Sequence, residues 1–353
     1  MLKSKIRMCV SQFQVFDEEM AKFATQLGFD EIQMNTPAIP GKGVWSFEDM
    51  KELKDRIESY GLKLSMIENV PLPFYDKVIL GLPGRDEQLE NYISILENIG
   101  RLEIPVFGHH FSPTFVWRTN TEAEGRGGAG ATEYDQSKFV ADANGFDELM
   151  KRKKHKLDYD VFEAADTIPG GLTQDKLFEN YEYFMKAVIP VAEKWGVKLA
   201  LHPDDPPVLN FKNIQRLITC KEDYLRAMNI ANSPNWGVNL CIGCCSEMGG
   251  DAAVKDMIRT FGSMGKLFSI HFRDVRGVLP HFIECFLGEG NFDPPEIIRE
   301  LVKVGYDGLI MEDHVNKLYN DTIYGHRARA HELGYIKGML TMMRYYEENG
   351  ATF

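Results

Sequence analysis

Short apolar runs alternate with longer amphipathic stretches along most of the chain. Residues 6–10, 29–35, 62–67 and 104–108 form one set of short runs, and residues 197–201, 236–240, 266–270 and 308–311 form a second. Runs of this length between turn signals read as buried strands. Between them, apolar positions recur at helical spacing over 17–26, 46–60, 85–100, 174–195, 221–231, 252–261, 294–304 and 327–348. Ser46 is a suitable N-cap for its helix and Gly61 a suitable stop. The pattern is therefore eight strand-plus-helix units. Strands separated by helices pair in parallel, and eight such units predict a single α/β domain, a (β/α)8 TIM barrel. Only residues 111–171, after the fourth strand, break the rhythm. A connection this long is expected to be a lid, a binding loop or a disordered insertion. Its glycine run, residues 125–130, lacks the strand-before, helix-after setting of a phosphate cradle, and its basic run, residues 151–156, reads as a solvated face.

The unusual polar residues fall at strand ends. Asn35, Glu68, His109, His202, Cys241, His271 and Asp313 each close a different predicted strand. In a barrel the carboxyl ends share one mouth, so these side chains are expected to converge there. His202, Cys241, His271 and Asp313 come from strands five to eight and offer imidazole, thiolate, imidazole and carboxylate. That is a divalent-metal donor set, and its sulfur disfavours Mg²⁺ and Ca²⁺ while suiting Mn²⁺, Fe²⁺, Co²⁺ or Zn²⁺. The competing reading of each residue alone is structural: a strand that ends in a polar turn. The stretch Leu201-His202-Pro203-Asp204-Asp205-Pro206-Pro207 shows both sides, since its prolines end a strand and its two acids either cap the loop or contact a ligand or substrate. His109 and His110 are neighbours on one strand, so only one of them faces the mouth; His109 is taken as that residue. His314 is a candidate acid/base, Arg273 a candidate anion-binding group, and Cys244 and Cys245 read as loop packing.

Composition narrows the function classes. With 353 residues, 44% hydrophobic, 26% charged and a net charge of −12, the chain has a large core and no basic surface for nucleic acid. No apolar run approaches a membrane span, and Met1 to Arg7 carries charges without a long apolar segment behind them. The six cysteines are then expected to be reduced thiols or ligands in a cytoplasmic protein.

Several segments together resemble the metal-dependent D-mannonate dehydratases, a family of xylose-isomerase-like barrels. They are Val44-Trp45-Ser46, Ser65-Met66-Ile67-Glu68-Asn69-Val70-Pro71, Trp117-Arg118-Thr119, His202 to Pro207, Cys241-Ile242-Gly243, His271-Phe272-Arg273-Asp274-Val275 and Asp313-His314. The resemblance implies a Mn²⁺-type site at His202, Cys241, His271 and Asp313, with water eliminated from a sugar acid to leave a 2-keto-3-deoxy acid. It assigns acid/base work to His314 and Tyr324. Arg273, His109, Glu68, Asp204 and Asn35 are the expected substrate contacts. The chain departs from the family pattern at Met311 and Val315, where the family has arginine and glycine, at Asp274 for asparagine, and at Leu287 for histidine. Loss of an arginine keeps a second function open, a metal-dependent isomerase or epimerase of a neutral sugar. A non-catalytic sugar-binding barrel is the third. Barrels of this kind often associate, so a homo-oligomer is an expectation.

Overall fold

The structure, a computed structural model, describes residues 5–114, 116–141, 161–211 and 214–350; the basic run at 151–156 lies outside them. The strands in chain order begin with Arg7–Met8 (β1), Val10–Phe13 (β2), Glu31–Asn35 (β3), Lys63–Glu68 (β4) and Val106–His109 (β5). Asn120–Glu124 (β6), Gly130–Asp135 (β7), Lys198–Leu201 (β8), Asn210–Phe211 (β9) and Ile214–Gln215 (β10) follow. Trp236–Cys241 (β11), Leu267–His271 (β12), Asp274–Val278 (β13), His281–Cys285 (β14) and Leu309–Met311 (β15) complete the set. One parallel sheet has the order β1-β15-β12-β11-β8-β5-β4-β3-β2. Its two ends are halves of one strand, because only Cys9 separates β1 from β2, and the Cys9 amide donates to Ile310 O at 3.1 Å. The sheet therefore closes into the expected barrel.

Local chemistry sets the helices. Asp17 caps Glu18–Gln26 by accepting from Met20 N, and Ser46 caps Phe47–Glu58 by accepting from Asp49 N, each at 3.0 Å. The apolar faces pack against the strands in one large core, while Cys9, Met66, Val106, Ala200, Phe268, Leu309 and Met311 form a small cluster inside the barrel. Met311 is thus a barrel-filling side chain. The helix expected over 252–261 is longer, Ile242–Ser263, and passes through a break at Gly249 and Gly250. That glycine pair permits a kink, with Gly250 at φ +65°.

The described parts of residues 111–171 carry regular structure. They supply β6, β7 and the helices Gln136–Ala141 and Val161–Asp166. β6 and β7 join β14 and β13 in a four-stranded antiparallel sheet of order β13-β14-β7-β6. The β13–β14 hairpin occupies what the sequence presented only as a polar loop after strand seven. Trp117, Tyr134, Val275 and Phe282 form the core of this second sheet. Gly130 and Lys317 exchange backbone hydrogen bonds at 2.9 and 2.8 Å, which ties the sheet to the loop after β15.

Candidate active site

Side chains alternate along a strand, and that parity decides what reaches the mouth. Ala200 lies inside the barrel and Leu201 outside, so His202 returns inward. The same step takes Met311 to Asp313. The four proposed ligands are all buried at the carboxyl ends of adjacent strands. Donor atoms of Cys241, His271 and Asp313 lie within 4.8 Å of one another, as do those of Glu68, His202 and His271 and those of His202, Cys241 and Cys244.

Both imidazoles are held through one nitrogen. His202 Nδ1 is 2.7 Å from Pro203 O, and since a carbonyl only accepts, Nδ1 carries the proton and Nε2 is left with its lone pair. His271 Nε2 lies 3.1 Å from Glu68 Oε2, while its Nδ1 has no hydrogen-bond partner among the described residues and faces Asp313 Oδ1 at 3.7 Å. Carboxylate–imidazole pairs of this kind orient metal-binding histidines. Glu68 is fixed in turn by Gln33 Nε2 at 2.6 Å and Asn239 Nδ2 at 3.1 Å. Burial opposes ionisation of Cys241, but contacts from Cys244, Arg273 and the two imidazoles outweigh it and hold the thiol well below its usual range.

A buried charge network surrounds the four. Arg273 donates to Asp313 Oδ2 at 2.9 Å, Glu247 Oε1 at 2.9 Å, Asp205 Oδ2 at 2.7 Å and Cys244 Sγ at 3.3 Å. Arg118, from the segment between β5 and β6, grips both oxygens of Asp205 and donates to Glu284 Oε1 at 2.6 Å. The same Glu284 oxygen is 2.7 Å from His314 Nδ1. His314 Nε2 lies 3.9 Å from Asp313 Oδ1, and the side chain keeps 31% of its surface exposed. Burial disfavours its charged form, yet Asp313 and Glu284 outweigh that and push it up to about 9.

Several expected site residues sit elsewhere. His109 faces outward, against Tyr181 and Phe184, with neither ring nitrogen hydrogen-bonded; burial pushes it down to about 3. His110 takes the place assigned to it, stacked on His202 with ring centres 4.1 Å apart and with Nε2 3.4 Å from Glu68 Oε1. The cause is parity: Gly108 lies against Met66 and Glu68 on the inner side, so the next inward residue is His110. Tyr324 is not brought to the cluster. Its hydroxyl donates to Ser11 O at 2.7 Å and its ring stacks on Phe13. Arg273 has its donors engaged by protein carboxylates rather than open to a substrate. Asp204 fixes its loop by accepting from Ile218 N at 2.9 Å. Asn35 is at the mouth, donating to Gln12 Oε1 at 2.7 Å. Glu312, which adds negative charge in the sequence, points away from the mouth to Ser11 and Arg329. The residues not anticipated are His110, Gln12, Asn69, Asn239, Arg118, Glu247 and Glu284. Strict alternation from Gly108 is the signal that would have found His110.

Residues 19–349 match the D-mannonate dehydratase (UxuA) family. The chain belongs to that family. It is 33% identical over 328 residues to a mannonate dehydratase of Thermotoga maritima, covering 85% of this chain and 87% of that one. The crystal structure of mannonate dehydratase from Streptococcus suis serotype2 superposes with a TM-score of 0.83 at 25% identity, covering 99% of this chain and 97% of that one. The E. coli 3-keto-D-glucoside 4-epimerase YcjR superposes with a TM-score of 0.56 at 14% identity, with 95% and 100% covered, and shares the fold. As a member of the D-mannonate dehydratase family, this chain is a hydro-lyase of sugar acids built on a TIM barrel. Among the described residues, no helix is long and apolar enough to cross a membrane.

Proposed function

We propose that the chain is a metal-dependent dehydratase of a D-mannonate-like aldonate, producing a 2-keto-3-deoxy acid. The observation that carries this reading is the convergence of His202, Cys241, His271 and Asp313, with each imidazole anchored through one nitrogen. The unpartnered, buried His271 Nδ1 and the depressed Cys241 thiol fit a divalent transition metal, Mn²⁺ first and Fe²⁺, Co²⁺ or Zn²⁺ next. When bound, the cation supplies Lewis-acid stabilisation of the negative charge that develops as a proton leaves.

The remaining work belongs to side chains. His314 is the exposed acid/base of the cluster; Glu284 holds its Nδ1, which leaves Nε2 to exchange a proton with the substrate. The overall step breaks a C–H bond beside the carboxylate and a C–O bond on the neighbouring carbon, so one proton and one hydroxide leave together as water. Arg273 positions Asp313. Arg118 shares with Arg273 and His314 the pairing of the buried carboxylates Asp205 and Glu284.

One observation favours the neutral-sugar reading instead: both mouth arginines are engaged by protein carboxylates. Incubating the Mn²⁺-loaded protein with D-mannonate separates the two. Appearance of a 2-keto-3-deoxy acid, read by its semicarbazone absorbance, is the expected result. No such product, with turnover of a neutral ketose, rejects the dehydratase.

A further inference from the structure

The mouth is lined differently on its two sides. Strands β8, β11, β12 and β15 deliver the candidate metal donors, whereas Gln12 late in β2, Asn35 at the end of β3 and Asn69 just after β4 present carboxamides. Gln12, Asn35 and Asn69 are all partly exposed, in contrast to the buried metal side. They form a chain of hydrogen bonds. Gln12 Nε2 donates to Asp313 Oδ1 at 3.2 Å, Asn35 Nδ2 to Gln12 Oε1 at 2.7 Å, and Asn69 Nδ2 to Asn35 Oδ1 at 3.2 Å. Asn69 Oδ1 then accepts from the His110 amide at 3.1 Å, and the His110 ring stacks on His202. The chain thus starts at one candidate ligand, Asp313, and returns to another, His202, enclosing the mouth in a ring.

The backbone of this half is also unusual. Gln12, Thr36 and Asn69 have φ of 65°, 44° and 62°, so a left-handed non-glycine residue stands at or just beyond the end of each of three neighbouring strands. For glutamine and a β-branched threonine this conformation is uncommon, and strain of this kind gathers where side chains are held for a ligand. Each carboxamide nitrogen has two N–H groups, and only one of each is engaged inside the ring. Among the described residues, each nitrogen therefore keeps a second N–H that the ring does not engage.

We infer that Gln12, Asn35 and Asn69 form the subsite for the hydroxylated tail of an acyclic sugar acid, the carbons beyond the reacting pair. Neutral donors suit this role. Hydroxyls accept from amide N–H groups without the desolvation cost of a charged partner, and amides aligned by one another are already oriented. The inference rests on the proposed sugar-acid activity and names the residues that read the length and hydroxylation of the substrate.

Calorimetric binding of D-mannonate and of D-mannitol to the Mn²⁺-loaded full chain tests it, because mannitol has the polyol tail and no carboxylate. Two variants are used. Asn69→Asp keeps the shape and the acceptor for His110 N but removes the N–H donors, and Asn69→Gly tolerates the positive φ. Both are expected to weaken both ligands about fivefold or more, the loss of about one hydrogen bond, with metal content unchanged. Unchanged affinity for both ligands in either folded variant overturns the assignment, as does a wild-type protein that binds neither compound. Binding that depends on Asn69 without any dehydration of D-mannonate would leave the subsite standing and reject the proposed activity alone.

Discussion

Replacing Asp274 with asparagine should stabilise the protein, and by more at alkaline than at acidic pH. Asp274 stands at the start of β13 and is 1% exposed. Its Oδ1 accepts from Ser246 Oγ at 2.9 Å and Val275 N at 2.7 Å, and its Oδ2 accepts only a long bond from Phe292 N at 3.4 Å. Among the described residues no arginine or lysine pairs with it, so burial dominates and pushes the carboxyl up from 3.8 to about 6. A carboxyl raised in the folded state is a stability cost that appears as pH rises. Below the unfolded value both states are protonated and the cost is absent; it grows through the window from 3.8 to about 6 and is fully present above it. The span corresponds to about 3 kcal/mol at most. Asparagine keeps the two short bonds through its own oxygen but sets an N–H against Phe292 N, so a net gain of about 1–2 kcal/mol is expected at pH 8. Between pH 5 and pH 8 the advantage should widen by about 1 kcal/mol. Urea unfolding of both proteins at the two pH values, followed by circular dichroism, measures this difference. An advantage that does not change with pH, or a variant less stable at pH 8, would refute the burial argument.

The candidate site gives three further expectations. Glu68→Gln removes the carboxylate that orients His271, and competition with a chelator should show metal affinity lowered about 10–100-fold while the fold persists. Arg118→Leu leaves Asp205 and Glu284 buried with half their pairing, which should lower stability by about 3–5 kcal/mol in thermal or urea unfolding; a change below about 1 kcal/mol would show that the network contributes little. His109→Phe should leave substrate turnover and melting temperature close to wild type, because that ring already sits among Tyr181 and Phe184 without hydrogen bonds. His110→Phe should instead impair binding of the substrate, and equal effects of the two would undo the assignment of which histidine faces the mouth.

Much of the architecture was readable because barrel strands are short, apolar and separated by capped helices. Ser46 caps where its sequence position suggests, and the four candidate metal donors emerge from strand ends in sequence order. What the pattern left out depends on alternation or on distant pairing. The choice between His109 and His110 turns on a single step of strand parity, and a one-residue error exchanges core for site. The second sheet is invisible locally because β7 finds its partner β14 only across the mouth, pairing Asp135 with His281. Arg118 reads as one basic residue in a loop until Asp205 and Glu284, 87 and 166 residues away in sequence, come to rest against it.

Substrate recognition is the hardest part to read for the same reason, and closure of the barrel explains why. Closing the sheet places the first strand beside the last, so Gln12 meets Asp313 across 301 residues of sequence. The candidate metal donors occupy consecutive strands and can be read as a series. The carboxamide side begins at the other end of the chain and becomes the opposite wall of the same mouth only when β1 pairs with β15. A missing arginine at Met311 therefore says little about recognition by itself, since that side chain fills the barrel below the mouth. The specificity of this chain is better sought in Gln12, Asn35, Asn69 and His110, a linked series that meets the candidate donors at its two ends, Gln12 on Asp313 and His110 on His202.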